Sequence, residues 1–199
     1  MRDEEGKVKE LIEKLGKGEV TSKEALKELQ KRKLVEDERW EIIPWVVYFI
    51  LWLPLNFMLT DQMPAILFPG IVIYISIVIV VLGIFLSVWA THYHYKIGGL
   101  KDDETIILFK EGPYRVMRHP AVFGLIMLPV LLPIILSAYI PFTALSIAAI
   151  ILMIAYTYYG VHLEEKLSIK KWGDKYRQYM KEVPKFNFIK GLWNLRKRR

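Results

Sequence analysis

Charge and hydropathy are segregated along this chain, and that separation restricts its possible folds more than any other feature. Between Ile42 and Gly99 the only charged residues are Asp61 and Lys96, and between Pro120 and Val161 there are none. Yet charged residues make up 25% of the 199 positions and hydrophobic residues 53%. A bilayer accepts spans of about 20 apolar residues, and in lipid a helix satisfies its own backbone groups. The pattern therefore predicts an all-α, polytopic membrane helical bundle with about four transmembrane helices, an N-terminal soluble helical segment and a C-terminal interfacial helix.

The four expected spans are Ile42 to Leu59, Ile66 to Ala90, Pro120 to Leu136, and Ala138 to Gly160. The third is short and holds Pro129 and Pro133, which remove backbone donors and bend a helix. Orientation follows from Lys and Arg, which collect in short cytoplasmic loops. The turns TDQMP and SAYIP contain neither, whereas the segment after Gly160 has 12 Lys/Arg against 4 Asp/Glu. The loop from Thr91 to His119 is also basic, with Lys96, Lys101, Lys110, Arg115 and Arg118. These counts predict a multi-pass protein of the cell membrane with both termini and the central loop in the cytoplasm.

Residues 1–41 read as a separate soluble helical hairpin ahead of a membrane domain at 42–199. Val8, Leu11, Ile12 and Leu15 recur at helical spacing, GKGE breaks the pattern, and Thr21 with Glu24 forms a capping-box signal before Leu26 and Leu29. The segment carries 11 Lys/Arg and 12 Asp/Glu, a net charge of −1, which gives no case for a nucleic-acid partner. The chain has no cysteine, so disulfides, thiolate metal sites and a cysteine nucleophile are excluded. His92 and His94 are two apart and have no suitable third ligand nearby, so no metal site is expected.

Polar chemistry is densest in GPYRVMRHPAVFG, residues 112–124, at the mouth of the third span. Pro120 suits the first turn of a helix, whose free amides favour polar or anionic groups. Gly124 leaves room for a ligand or a neighbouring helix, and Tyr114, Arg115 and His119 are within reach of a ligand there. The plainer reading gives Arg115 and Arg118 to lipid phosphates and Gly124 to packing. If the third and fourth spans form a hairpin, this stretch neighbours Glu164 and Glu165, which point about 100° apart on a helix. One of the two is then a functional candidate or a structural ion-pair partner of Arg115 or Arg118. Leu163, Leu167, Trp172, Tyr176 and Tyr179 form an amphipathic face suited to an interface.

GPYRVMRHP followed by Gly124, then EE, WG, Tyr176, Tyr179 and VP, resembles the isoprenylcysteine carboxyl methyltransferase and phospholipid methyltransferase superfamily. The two motifs span residues 112–184. Two positions depart from the pattern: Val122 stands where an aromatic is usual, and Trp172 where Phe is. The resemblance implies an integral membrane methyltransferase that uses S-adenosylmethionine. Tyr114, Arg118, His119, Pro120, Gly124, Glu164, Glu165, Tyr176 and Tyr179 would then bind the cofactor, with Arg115 and Glu165 as catalytic candidates. The acceptor would be lipophilic, either like an isoprenylcysteine carboxylate or a lipid headgroup, and membrane lipids would be partners. The alternatives are an NADPH-dependent membrane reductase of the same superfamily and a non-catalytic membrane scaffold. The oligomeric state stays open.

Overall fold

The computed structural model describes residues 2–34, 42–97, 108 and 110–197, which contain helices, turns and no strand. The chain divides into two compact units, one of Met1–Asp37, Val88–Ala121 and Val161–Arg199 and the other of Glu38–Ser87 and Val122–Gly160.

The first unit begins with α1 (Arg2–Gly16) and α2 (Ser22–Lys31). Thr21 starts α2 through a reciprocal capping box: its hydroxyl accepts from Glu24 N at 3.3 Å, and the Glu24 carboxylate accepts from Thr21 N at 2.8 Å. Val8, Ala25, Leu29 and Leu34 form the buried core of this hairpin, with Leu11, Leu15 and Val20 against it. Ala25 and Leu29 are fully buried while Leu26 is half-buried, so the inward stripe sits one residue earlier than the apolar pattern alone suggests; the Ile12 side chain lies outside the described residues.

The second unit is apolar. It holds α3 (Ile42–Trp52), α4 (Pro54–Leu59) and the uncharged parts of α5 (Gly70–Ile97), α6 (Pro120–Ile135) and α7 (Ala144–Glu182). The runs Ile42–Gln62, Gly70–His94 and Ala144–Glu182 each contain a stretch long and apolar enough to cross a membrane, and α6 is a shorter apolar helix. Two spans start later than expected. α5 begins at Gly70 rather than Ile66, because Pro64 and Pro69 hold the preceding residues out of helical geometry. α7 begins at Ala144 rather than Ala138, because Pro141 interrupts the turn and the Thr143 hydroxyl caps the new helix through Leu145 N at 3.1 Å.

α6 runs 16 residues, about 24 Å, and stays helical through Pro129 and Pro133. Pro133 has no N–H for the Pro129 carbonyl, and the Tyr48 hydroxyl donates to that oxygen instead at 2.7 Å. Asn56, fully buried, donates to Trp52 O at 2.7 Å and to Ser146 Oγ at 2.9 Å, while the Thr143 hydroxyl donates to its amide oxygen. Each polar group thus offsets its own cost of burial in apolar surroundings.

Gly83 of α5 and Gly124 of α6 let two helix backbones touch. A Cβ on Gly124 would lie 2.2 Å from Gly83 O and 2.9 Å from Ser87 N, both main-chain atoms that cannot rotate away. Helix crossing therefore requires a glycine at 124. Gly124→Ala should lower stability by about 1–3 kcal/mol, seen as a lower thermal midpoint in detergent. Gly160→Ala, where a Cβ would meet nothing within 4 Å, should leave the midpoint unchanged or raise it.

Candidate functional site

The polar chemistry gathers within the first unit, built by two stretches far apart in sequence. In the first, Gly112 takes φ +54°, and a Cβ there would sit 2.8 Å from the Tyr93 ring. Gly112–Arg115 then forms one 3-10 turn, after which Arg118 and His119 precede Pro120, the first residue of α6. In the second, α7 continues past its uncharged part, which ends at Val161, and carries Glu164 and Glu165 beyond the spanning segment. Gly173, at φ 55° and ψ −129°, breaks α7 in a conformation open essentially to glycine alone. After that break Tyr176, Tyr179 and Val183 pack into a buried cluster with Leu108, Ile169, Trp172 and Met180.

Main-chain hydrogen bonds join the stretches: Arg118 N donates to Pro184 O at 3.0 Å and His119 N to Lys185 O at 3.4 Å. The Tyr179 hydroxyl adds a third link to Tyr114 O at 2.7 Å. Arg118 does the most. Its Nε and Nη2 lie 2.8 and 2.7 Å from Glu165 Oε1, and its Nη1 donates to Met180 O at 2.9 Å and to Val183 O. The guanidinium therefore neutralises a buried carboxylate and satisfies carbonyls at the end of α7 that have no helical partner.

His119 sits between the adjacent glutamates. Nδ1 is 3.0 Å from Glu164 Oε2 and Nε2 is 3.3 Å from Glu165 Oε1, so both ring nitrogens face carboxylates and the ring is best satisfied as imidazolium. Burial works to lower its pKa, but Glu164 and Glu165 outweigh it and push the value up to about 9. Burial likewise works to raise Glu165, but hydrogen bonds from His119, Lys185 and Arg118 pull it down to about 2. Lys185 Nζ completes the shell of Glu165 at 2.8 Å. Arg118, His119 and Lys185 face the two glutamates, and buried Lys171 adds its charge beside Glu164, so positive charge is in excess in the cluster.

The sequence candidates separate into roles. Arg118, His119, Glu164 and Glu165 are assembled as one cluster, with Tyr114, Tyr176 and Tyr179 beside it. Pro120 is buried at the start of α6, and Gly124 belongs to the apolar unit, where packing against Gly83 occupies it. Arg115 is exposed on the 3-10 turn, and Arg118 is the arginine that enters the cluster. Glu165 has 5% side-chain exposure and Glu164 35%, so Glu164 is the more exposed of the two carboxylates. Tyr176 and Tyr179, expected on an interfacial face, are instead 4% and 3% exposed in the cluster beneath the site. Lys185 was not among the candidates, although its place directly after the VP pair was a usable signal. Among the described residues, no group of three or more His, Cys, Asp or Glu is placed to hold a metal ion.

A histidine whose pKa is raised in the folded state contributes stability that is complete below its unfolded value near 6.5 and is lost as pH rises through about 9. The thermal midpoint should therefore fall between about pH 6.5 and pH 9 in the native protein and stay flatter in His119→Gln. Glu165, with its pKa near 2, contributes equally across that window.

No curated protein and no solved structure matches the chain. One family model does: a protein family of unknown function, DUF1295, matches residues 27–183, which takes in the cluster from Tyr114 to Val183. It is a membrane family related to steroid 5α-reductase-like proteins. With most of its length covered by that match, this chain belongs to the DUF1295 family.

Proposed function

We propose that the protein is an integral membrane enzyme that transfers a methyl group from S-adenosylmethionine to a lipophilic acceptor, at the cytoplasmic face of the cell membrane. The observation that carries this reading is the His119 bridge between Glu164 and Glu165, which draws the two motif stretches into one site. The residues suit the cofactor. Glu164, with its half-open carboxylate, would hold an ammonium or a ribose hydroxyl, and the excess positive charge of the cluster favours the cofactor's carboxylate. S-adenosylmethionine supplies an electrophilic methyl group on a sulfonium.

The protein's contribution is then alignment and exclusion of water. Arg118, Glu165 and Lys185 are saturated by one another and by main-chain carbonyls, so they hold the frame rigid rather than react. Arg115, exposed on the 3-10 turn, would pair with an acceptor carboxylate. Such an acceptor is ionised near neutral pH and needs no general base; a lipid amine would need one, and Glu164 is the open carboxylate for it. The excess of Lys and Arg in the loop and after Gly160 supports a cytoplasmic site.

A second reading, a nicotinamide-dependent membrane reductase, is favoured by the relation of DUF1295 to steroid 5α-reductase-like proteins. It stands second because GPYRVMRHP and the later EE, WG and VP motifs resemble the methyltransferase pattern. Calorimetric titration of the detergent-solubilised protein separates the readings. S-adenosylhomocysteine should bind saturably and NADPH should not. Glu164→Gln should weaken that binding about 10-fold or more and lower the thermal midpoint less than Glu165→Gln, which removes the carboxylate at the centre of the cluster. Binding of NADPH alone would move the protein to the reductase reading, and binding of neither ligand by folded protein would leave a non-catalytic scaffold.

A further inference from the structure

The last helix carries a face that the candidate site does not use. α8 (Phe188–Lys197) is started by Asn187, whose side chain accepts from Lys190 N at 2.9 Å. One side of it is seated on the first unit. Gly191 is buried, and a Cβ there would lie 1.8 Å from Val116 O, while Asn194 Nδ2 donates to Glu182 O at 3.0 Å. At 100° per residue those two positions share a side, and an arc that runs from beside Gly191 round to the far side presents Phe188, Leu192, Ile189 and Trp193, which are 49%, 45%, 74% and 59% exposed. Lys190, Arg196 and Lys197 lie within or beside that arc, and α8 contains no acidic residue. Lys197 Nζ stands 5.4 Å from the Trp193 ring centroid.

We propose that this arc of α8 is a docking surface for anionic lipid, lying in the headgroup layer with its four apolar side chains at the acyl boundary and its cations on lipid phosphates. The chemistry selects this occupant. Four large apolar side chains on one arc disfavour water, and a tryptophan flanked by cations is the composition of a helix lying in an interface. Cations inside the apolar arc disfavour a dry protein contact, whereas long Lys and Arg stems can lie along the apolar surface and reach the headgroups. A second copy of the chain is disfavoured because a two-fold contact through α8 would set like charges against each other. The inference does not depend on methyl transfer. Its consequence for the site is positional: Val116, on which Gly191 rests, lies two residues before Arg118.

The absence of cysteine makes a clean test available. A spin label on Ile189→Cys in the full chain, reconstituted in nanodiscs, reports immersion through its relative accessibility to oxygen and to a water-soluble nickel chelate. With phosphatidylcholine containing phosphatidylglycerol the label should be oxygen-accessible and shielded from nickel, and clearly less so with phosphatidylcholine alone. Lys190→Glu, Arg196→Glu and Lys197→Glu together should abolish the difference, and because all three residues are exposed the thermal midpoint should hold. A label exposed to water in both lipids would overturn the proposal. So would equal immersion in both lipids with no effect of charge reversal, and so would spin–spin broadening that reveals a second copy on this face.

Discussion

The buried ion cluster around Glu165 is the interaction on which the polar unit depends. A carboxylate with 5% exposure is costly unless every lone pair finds a donor, and here Arg118, His119 and Lys185 supply them. The cost explains the arrangement. Removing one partner would leave an uncompensated buried charge, a loss of about 3–5 kcal/mol, so the RHP stretch, the EE pair and the residues after VP are tied into one physical unit. Arg118 extends the tie by bonding carbonyls at the end of α7, so the same side chain that neutralises the carboxylate also fixes where that helix stops.

The two adjacent glutamates show how one helix turn can divide structure from chemistry. Glu165 points inward and is consumed by the frame, while Glu164, rotated by about 100°, pairs with His119, lies near buried Lys171 and is the more exposed of the two. His119 connects the two, so a ligand that engages Glu164 acts on a ring whose other nitrogen reads the frame. Such a site is preorganised: little has to move before a ligand meets fixed charge.

The apolar unit solves a different problem with the same economy of groups. The Pro129 carbonyl, freed by Pro133, and the buried Asn56 each need a hydrogen bond, and neighbouring hydroxyls supply it: Tyr48 for the first, Thr143 and Ser146 for the second. Gly83 and Gly124 remove side chains where α5 and α6 cross, which replaces side-chain packing with main-chain contact. In apolar surroundings such polar closure and close approach do what the exclusion of water does elsewhere.

Much was legible in the sequence because it depends on local pattern. Uncharged runs gave the apolar helices, Thr21 and Glu24 gave the cap of α2, and the spacing of RHP and EE marked the residues that meet. Helix starts were less legible, since the caps at Gly70 and Ala144 turn on proline placement within apolar text that looks uniform. Only the tertiary structure decided which arginine enters the site, which glutamate is left open, and that Lys185 joins them. It also decided that the exposed apolar arc belongs to α8 while Tyr176 and Tyr179 face inward, because the Gly173 break turns the end of α7 to a new side. Sequence records which groups must be paired or kept from water; the pairing itself is chosen by geometry, since a charge is satisfied by whichever partner the fold brings within about 3 Å.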